Sequence, residues 1–285
     1  MQKNAVNICI GLALGSLAAA VEAVPVSAGT ASFVSLTECI PAGTVCNPVF
    51  PSVQRVWAAE PGATASSATA TNALYGLSQS SAALTGVVGA PILKAKAISE
   101  PGGRVAADAV AVQRYVYTGS DTTTRTFGGA LSYLQSVAFP HDPAFPDRST
   151  LVNAFIALYS IPRETINVGA SPAQIYNDLL SMSSVNPGVV QLGVAQWRDY
   201  LSTANGNANL NVSITLNPGD SVWVQTVLQT RAAAGGYADA FNTLVTFWDN
   251  PVNLVPAAVA SIPEPGTLAL ICMGIGVGLR RLRHV

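Results

Sequence analysis

Apolar and polar residues alternate along several short stretches of this chain. A period of two predicts β-strands with one buried side, because successive side chains of a strand point to opposite faces. The stretches with this pattern are residues 92–98, 104–117, 189–200, 210–216, 221–230 and 238–248. Several such strands joined by short turns predict an all-β fold, either an antiparallel β-sandwich or a jelly roll.

Turn-forming residues separate the alternating stretches. Pro101 and Gly102 lie between the stretches 92–98 and 104–117, and this arrangement predicts a β-hairpin. The other predicted connections are residues 205–207, 217–220 and 235–236, which are rich in Asn, Gly and Pro. The weakly patterned stretch 63–83 is expected to be an edge strand or a partly ordered connection.

One segment has helical instead of β periodicity. Ser171 and Gln174 have the spacing of a capping box, and Pro172 stands at the first helical position. Apolar residues follow at positions 175, 179 and 182. This pattern predicts a short helix over residues 172–182 that covers one open end or one face of the sandwich.

The first 28 residues have the layout of a secretory signal peptide. Lys3 supplies a basic start, residues 8–21 form an apolar run, and small residues at 21–23 and 26–28 offer two cleavage positions. This layout predicts export from the cytoplasm, with cleavage after Ala23 or after Ala28.

The last residues of the chain form a second targeting segment. Pro263, Glu264 and Pro265 are expected to be extended, because proline fixes φ and removes a backbone donor. The uncharged run 266–279 would span about 21 Å as a helix, short of the ~30 Å hydrocarbon core. It can still cross a membrane if flanking arginines snorkel or the bilayer thins locally.

An arginine cluster follows this run and consists of Arg280, Arg281 and Arg283. Such a cluster predicts that the extreme C-terminus stays in the cytoplasm while the body lies outside. The membrane contact is therefore expected over residues 266–282, as a transmembrane helix. An ordinary C-terminal membrane anchor remains the alternative for this segment.

The order of these three parts resembles the PEP-CTERM sorting signal of bacteria with an outer membrane. Pro263, Glu264, Pro265 and the three arginines match the motif position by position, whereas Ile262 stands where the family usually has Val. The resemblance covers less than a tenth of the chain. It implies cleavage near the tripeptide by a membrane-embedded exosortase, whose catalytic cysteine belongs to that enzyme. It also implies a body in the periplasm before processing, and at the cell surface or outside the cell afterwards.

The chain is expected to divide into four parts. These are a signal peptide (1–28), a disulfide-stapled segment (29–51), a β-sandwich domain (52–258) and the sorting signal (259–285). The staple would join Cys39 and Cys46, which lie close together in an exported segment. A metal site is less favoured, because no second cysteine pair or nearby histidine completes a ligand set.

The charge pattern argues against nucleic-acid binding. Lys and Arg total 14, Asp and Glu total 15, and the body between the two end segments has no basic cluster to release counterions. Charged residues make up 10% of the chain, which is low against a typical ~25%. A surface hydrated by hydroxyls and amides suits an extracellular protein that works among sugars.

Catalytic constellations are sparse. The exported body has one histidine, His141, and no Gly-x-Ser-x-Gly motif, so a serine hydrolase is not favoured. A glycosidase would need two facing carboxylates. The candidates are Glu164, Asp178, Asp199, Asp220, Asp239 and Asp249, of which Asp220 and Asp239 are expected to serve turns. Asp142 and Asp147 offer a possible Ca²⁺ loop, although no EF-hand pattern occurs.

Four tryptophans offer the remaining chemistry. Trp57 and Trp197 could stack on sugar rings, whereas Trp223 and Trp248 lie in alternating strands and are expected in the core. The favoured hypothesis is an exported non-enzymatic protein of the cell surface or of an exopolysaccharide matrix, without a cofactor. A carbohydrate-binding module and, less favoured, a secreted hydrolase are the alternatives. Exposed, coplanar Trp or Tyr rings on one sheet face would favour the module, and paired carboxylates or His141 converging in a cleft would favour the hydrolase.

Overall fold

The computed structural model describes residues 23–38, 52–137, 150–200, 204–241 and 243–257. Its strands are β1 (Val24–Val26), β2 (Ala28–Glu38), β3 (Ser52–Ala59), β4 (Ala65–Asn72), β5 (Gly76–Ala83), β6 (Ile92–Ser99), β7 (Gly103–Tyr117), β8 (Thr123–Ser136), β9 (Leu151–Ser160), β10 (Ile166–Val168), β11 (Val190–Tyr200), β12 (Ala204–Leu216), β13 (Ser221–Ala233), β14 (Tyr237–Asp239), β15 (Leu244–Trp248) and β16 (Leu254–Pro256). Two helices, α1 (Pro172–Leu180) and α2 (Met182–Val185), lie between β10 and β11, and a 3₁₀ turn (Val87–Gly89) precedes β6.

The strands form two antiparallel seven-stranded sheets, which confirms the predicted all-β antiparallel fold. The first sheet has the order β11-β9-β13-β7-β2-β3, and β16 also pairs with β7. The second sheet has the order β12-β8-β14-β6-β5-β4, and β15 lies beside β14 between β6 and β8. A small two-stranded ladder joins β1 to β10.

The main core fills the space between the two sheets. Its inward positions alternate with outward ones, as a pleated strand requires. On β6 the inward residues include Ala95 and Ala97, and on the facing strand β7 they include Ala107 and Ala109. Bulkier residues, such as Phe127 of β8, complete the core nearer the other edge.

A second apolar cluster covers the outer face of the first sheet. Helix α1 places Ile175 and Leu179 against this face, where Val110 and Val112 of β7 are also buried. The central strands of this sheet are therefore covered on both sides. The helix starts with the predicted capping box between Ser171 and Gln174. It ends at Leu180, and a short second helix begins at Met182.

The predicted hairpin at Pro101 is wrong. The turn exists, since the amide of Gly103 donates to the carbonyl of Glu100 at 2.9 Å. However, β6 and β7 belong to different sheets, so this turn carries the chain across the core. Each strand already has partners on both of its edges, β5 with β14 and β15 for β6, and β2 with β13 for β7. The two small-residue faces therefore pack against each other instead of sharing hydrogen bonds.

Two further local predictions are also wrong. The Asn-Gly-Asn stretch 205–207 was expected as a turn but lies inside β12, where Gly206 pairs with Tyr133. A side chain at Gly206 would meet the Tyr133 ring, so the glycine serves close packing there. The stretch 238–248 forms two strands, β14 and β15, because Thr243 has a positive φ of 111° between them. By contrast, the stretch 63–83 agrees with the first of its two predicted alternatives. It forms β4, which is an edge strand, and β5.

The boundary expected at residue 52 is also corrected. Strand β2 lies inside the first sheet between β3 and β7, so the sandwich begins before residue 29. Residues 1–22 of the predicted signal peptide, the pair Cys39 and Cys46, and the whole sorting signal lie outside the described residues. None of the helices in the described part of the chain is long and apolar enough to cross a membrane.

Candidate carbohydrate-binding site

Trp57 lies on β3 at one edge of the first sheet. The strand register places it opposite Phe33 of β2, and the two ring centroids are 5.1 Å apart. Phe33 in turn lies 5.5 Å from the ring of Tyr176 on α1. Trp57 is partly buried, so this aromatic row holds the indole in place while part of its surface remains open to solvent.

A cleft of about 400 Å³ opens beside Trp57. Its walls come from the edge strands and from Pro172 at the start of α1, and its lining also includes Ser66, Ser67 and Glu60. Ser66 is oriented by a 3.0 Å hydrogen bond to the hydroxyl of Ser32. An aromatic face next to hydroxyls and a carboxylate can hold one sugar ring, because sugars present both apolar faces and hydroxyl rims.

A buried ionic network fixes α1, and with it one wall of this cleft. Both terminal nitrogens of Arg231 on β13 donate to the carboxylate of Asp108 on β7, one of them at 2.9 Å. The Tyr176 hydroxyl donates to the same carboxylate at 2.7 Å. Burial and then the Asp108 charge raise the pKa of Tyr176. Burial lowers the pKa of Arg231, but Asp108 outweighs it and the net direction is upward.

Gln225 of β13 holds the C-terminal end of α1. Its amide nitrogen donates to the carbonyl oxygens of Leu179 and Leu180, the latter at 3.0 Å. Its amide oxygen accepts from the Tyr159 hydroxyl at 2.9 Å, and burial raises the pKa of that phenol. The helix is therefore held to the sheet by polar contacts at its middle, through Tyr176, and at its C-terminal end, as well as by its apolar face.

Trp197 lies far from Trp57. It is on β11, at the opposite edge of the first sheet, and it points inward toward the second sheet. Its ring packs on Tyr133 with centroids 4.4 Å apart. Burial and then Asp199 raise the pKa of Tyr133. The structure therefore does not bring the two predicted sugar contacts together, and the Trp197 ring already has an aromatic partner.

The other two tryptophans are in the core, as expected. Trp223 has no exposed surface, and Trp248 has 5%. Trp248 packs edge-on against Tyr115 and Phe127. Burial, opposed by contact with Trp248, raises the pKa of Tyr115.

The candidate carboxylates are each used locally. Asp220 accepts from the Asn217 amide at 2.7 Å, and Asp239 accepts from the Phe241 amide at 2.7 Å, which confirms their turn roles. The others lie on separate elements: Asp178 accepts from Gly169, Asp249 from Asn250, Glu164 lies 3.9 Å from Arg114, and Asp199 lies beside Tyr133.

No three His, Cys, Asp or Glu residues of the described ranges come close enough together to hold a metal ion. His141, Asp142 and Asp147 lie outside the described residues.

Sequence reasoning missed two exposed aromatic residues of the described ranges, Phe247 and Tyr200. Phe247 of β15 is 44% exposed on the outer face of the second sheet. The signal was present, because alternation along β15 turns Phe247 outward once Trp248 is assigned to the core.

No protein-family model matches this chain, and no curated protein matches it either.

Proposed function

We propose that this chain is an exported, non-enzymatic protein of the cell surface or of an exopolysaccharide matrix. In this proposal a signal peptide directs export, and residues 266–282 hold the precursor in the membrane as a transmembrane helix. An exosortase-type enzyme then cuts near Pro263, Glu264 and Pro265. The observation that carries the proposal is the sequence order of three features in the tail: a Pro-Glu-Pro tripeptide, then an apolar run, then an arginine cluster.

The arrangement of the body supports this proposal. The last strand of the described residues, β16, ends at Pro256, only a few residues before Pro263. The tripeptide therefore follows the sandwich closely in sequence, and its two prolines keep it out of a helix or a central strand. A processing enzyme requires an extended peptide of this kind.

Replacing Pro263, Glu264 and Pro265 by alanine tests the sorting step. The intact mass of the wild-type protein from the envelope and the medium of its host is expected to correspond to a chain that ends near Glu264. The triple variant is expected to end at Val285 and to remain in the membrane fraction. A matched control is Ile262→Val, which restores the residue usual in the family and should be processed like the wild type.

Two outcomes would contradict the proposal. One is a wild-type protein that still ends at Val285, which would make the tail an ordinary anchor. The other is a triple variant with the same mature mass and location as the wild type, since cleavage would then not depend on the tripeptide.

A carbohydrate-binding module is the second candidate function, and the cleft beside Trp57 favours it. Trp57→Ala would remove the aromatic wall, whereas Trp197→Phe would change a tryptophan at the other edge of the sheet. Calorimetry measures the binding of neutral oligosaccharides. This binding should be lost in Trp57→Ala and kept in Trp197→Phe. Equal binding by both variants would exclude the cleft beside Trp57 as the sugar-binding site.

A further inference from the structure

A row of neutral polar side chains covers the outer side of β12. Every second residue of this strand is exposed, and the residues between them, such as Leu210 and Val212, belong to the core. The row spans about 34 Å at ~3.4 Å per residue. Its members are Asn205, Asn207, Asn209, Asn211, Ser213 and Thr215. We call this set the amide row.

Hydroxyls on the neighbouring strand β8 continue the row. Ser213 and Thr126 lie 3.0 Å apart, oxygen to oxygen, and Thr215 and Thr124 lie 3.4 Å apart. Each of these groups both donates and accepts hydrogen bonds, as does each asparagine amide. The outward side of β8 and β12 therefore offers both hydrogen-bond donors and hydrogen-bond acceptors.

An apolar strip lies beside the amide row. Leu134 of β8 is 46% exposed, and Val245 and Phe247 of β15 are 41% and 44% exposed. The Phe247 ring and the Asn211 amide meet over Gly128, where an added Cβ would stand 2.9 Å from the ring and 3.0 Å from the amide oxygen. The absent side chain at Gly128 thus lets an aromatic face and an amide lie next to each other.

The amide row ends in a shallow depression. Its volume is about 430 Å³, and its lining includes Ser132, Leu134, Asn205 and Asn207. Leu134 belongs to the strip, and Asn205 and Asn207 belong to the row. The open face therefore has a concave end with the same mixture of apolar and amide groups.

This surface has no formal charge of its own. The outward positions of β8, β12 and β15 named above are all uncharged. The nearest lysines, on β6, already have partners: Lys94 lies 5.5 Å from the Phe241 ring, and Lys96 pairs with Asp239 at 3.2 Å. Nucleic acids and acidic polysaccharides would need clustered cations, which this face does not offer.

We infer that this face binds a neutral polysaccharide chain, which lies along β12 with one sugar ring on Phe247. Sugar rings combine apolar faces with hydroxyl rims, and the strip and the amide row present the matching groups side by side. The site differs from the Trp57 cleft, which belongs to the other edge of the molecule. The inference does not depend on the sorting signal, because binding can be measured whatever the state of the C-terminus.

Affinity electrophoresis of the full chain tests this inference. The gels contain hydroxyethyl cellulose, galactomannan or dextran, which are neutral, or alginate, which is anionic. At least one neutral polymer should retard the wild-type protein, and alginate should not. Phe247→Ala should weaken that binding about tenfold, which corresponds to ~1.4 kcal/mol.

Two further variants sharpen the test. Gly128→Ala keeps both Phe247 and Asn211 but forces them apart, so it should weaken binding to a similar degree. Tyr200→Ala is the matched control, because Tyr200 is 45% exposed on β11 of the first sheet, and it should bind like the wild type. Circular dichroism verifies the fold of each variant, and Phe247→Ala, which changes an exposed side chain, keeps the test valid if Gly128→Ala does not fold.

Four results would overturn the inference. They are no retardation by any neutral polymer, equal retardation by alginate, unchanged binding by Phe247→Ala, and equal losses in Phe247→Ala and Tyr200→Ala. Sedimentation of the wild type adds a specific alternative. A dimer that Phe247→Ala dissociates, in a protein that none of the polymers retards, would assign the face to self-association.

Discussion

At the scale of single residues, burial decides what a polar side chain does. Asp108 interrupts an apolar stretch of β7, and by alternation alone it would be placed on a solvent-facing side. Helix α1 covers that side, so Asp108 is 3% exposed and serves as the common acceptor for Arg231 and Tyr176. A buried charge is tolerated only when it is paired, and this one has two partners.

Removing the carboxylate of Asp108 should destabilise the protein strongly. Asp108→Ala leaves Arg231 and Tyr176 without their acceptor, and the loss of one partner from a buried pair costs about 3 kcal/mol. The free energy of unfolding in urea measures this cost. Asp121→Ala is a control, because Asp121 lies on an exposed turn and should change stability by less than about 0.5 kcal/mol. Similar losses in both variants would contradict the role given to the network.

The Tyr176 hydroxyl should make the free energy of unfolding decrease at alkaline pH. Its pKa in the folded protein is raised by burial and by Asp108 above the ordinary value of about 10. Between these two pKa values the phenol is ionised in the unfolded chain but protonated in the folded one. Unfolding then releases a proton, so this group's contribution is complete below about pH 10 and falls as pH rises.

Urea unfolding at a series of pH values above 10 should reveal this dependence. Tyr176 is expected to contribute a loss of about 1.4 kcal/mol per pH unit. Tyr176→Phe should reduce the slope, although buried Tyr115 still contributes to it. Tyr200→Phe changes an exposed ring and should keep the wild-type slope. The same slope in all three proteins would show that Tyr176 does not titrate in this way.

At the scale of elements, small residues allow the two sheets to meet at one edge of the sandwich. The edge strands β11 and β12 come from different sheets and lie in contact there. Gly193 of β11 lies directly against Val212 of β12, with no room for a Cβ. Next to it, the register of β11 shifts between Gln191 and Gly193, so that Leu192 is left outside the regular pairing with β9. The glycine is thus a packing requirement of this edge.

A methyl group at this contact should be costly. Gly193→Ala would force the Val212 side chain or the strand to move, and overpacking of this kind costs about 1–3 kcal/mol. Val212→Ala alone creates space and also destabilises. The double variant should lose less than the sum of the two single losses, because one change makes room for the other. Additive losses, measured by urea unfolding, would show that the two residues do not compete for space.

At the scale of the whole molecule, the structure distinguishes between the two predicted signal-peptide cleavage positions. Strand β1 pairs with β10, and Val26 and Ala28 are buried. Cleavage after Ala23 would leave this ladder intact, whereas cleavage after Ala28 would remove all of β1. The first position is therefore the one compatible with the complete fold.

N-terminal sequencing of the protein recovered from its host tests this choice. If a signal peptide is removed as proposed, the mature chain is expected to begin at Val24. Deleting residues 24–28 should then destabilise the mature protein, because it exposes the surface that β1 covers. Replacing Pro25, an exposed residue of β1, by alanine is a milder control. A mature protein that begins at Gly29 and unfolds at the same urea concentration as one that begins at Val24 would contradict the argument.

The sequence by itself determined the local features of this protein. Alternation located β6, β7 and β11 to β15, which are seven of the sixteen strands in the described part of the chain. The spacing of Ser171 and Gln174 located the start of α1, and Asn217 and Asp220 marked a tight turn. These features depend on side-chain direction and on backbone hydrogen bonds within a few residues, so the local sequence is sufficient. The core positions of Trp223 and Trp248 followed from the same alternation.

Only the tertiary structure decided which strands pair and which outward faces are covered. The turn at Pro101 was predictable, but its role in crossing between sheets depends on partners more than 100 residues away, such as β13. The exposure and the neighbours of Trp57, Trp197 and Phe247 likewise depend on which edge or face each strand occupies. Alternation divides a strand into two sides, but the long-range contacts of the chain decide whether a side meets a helix, another sheet or water.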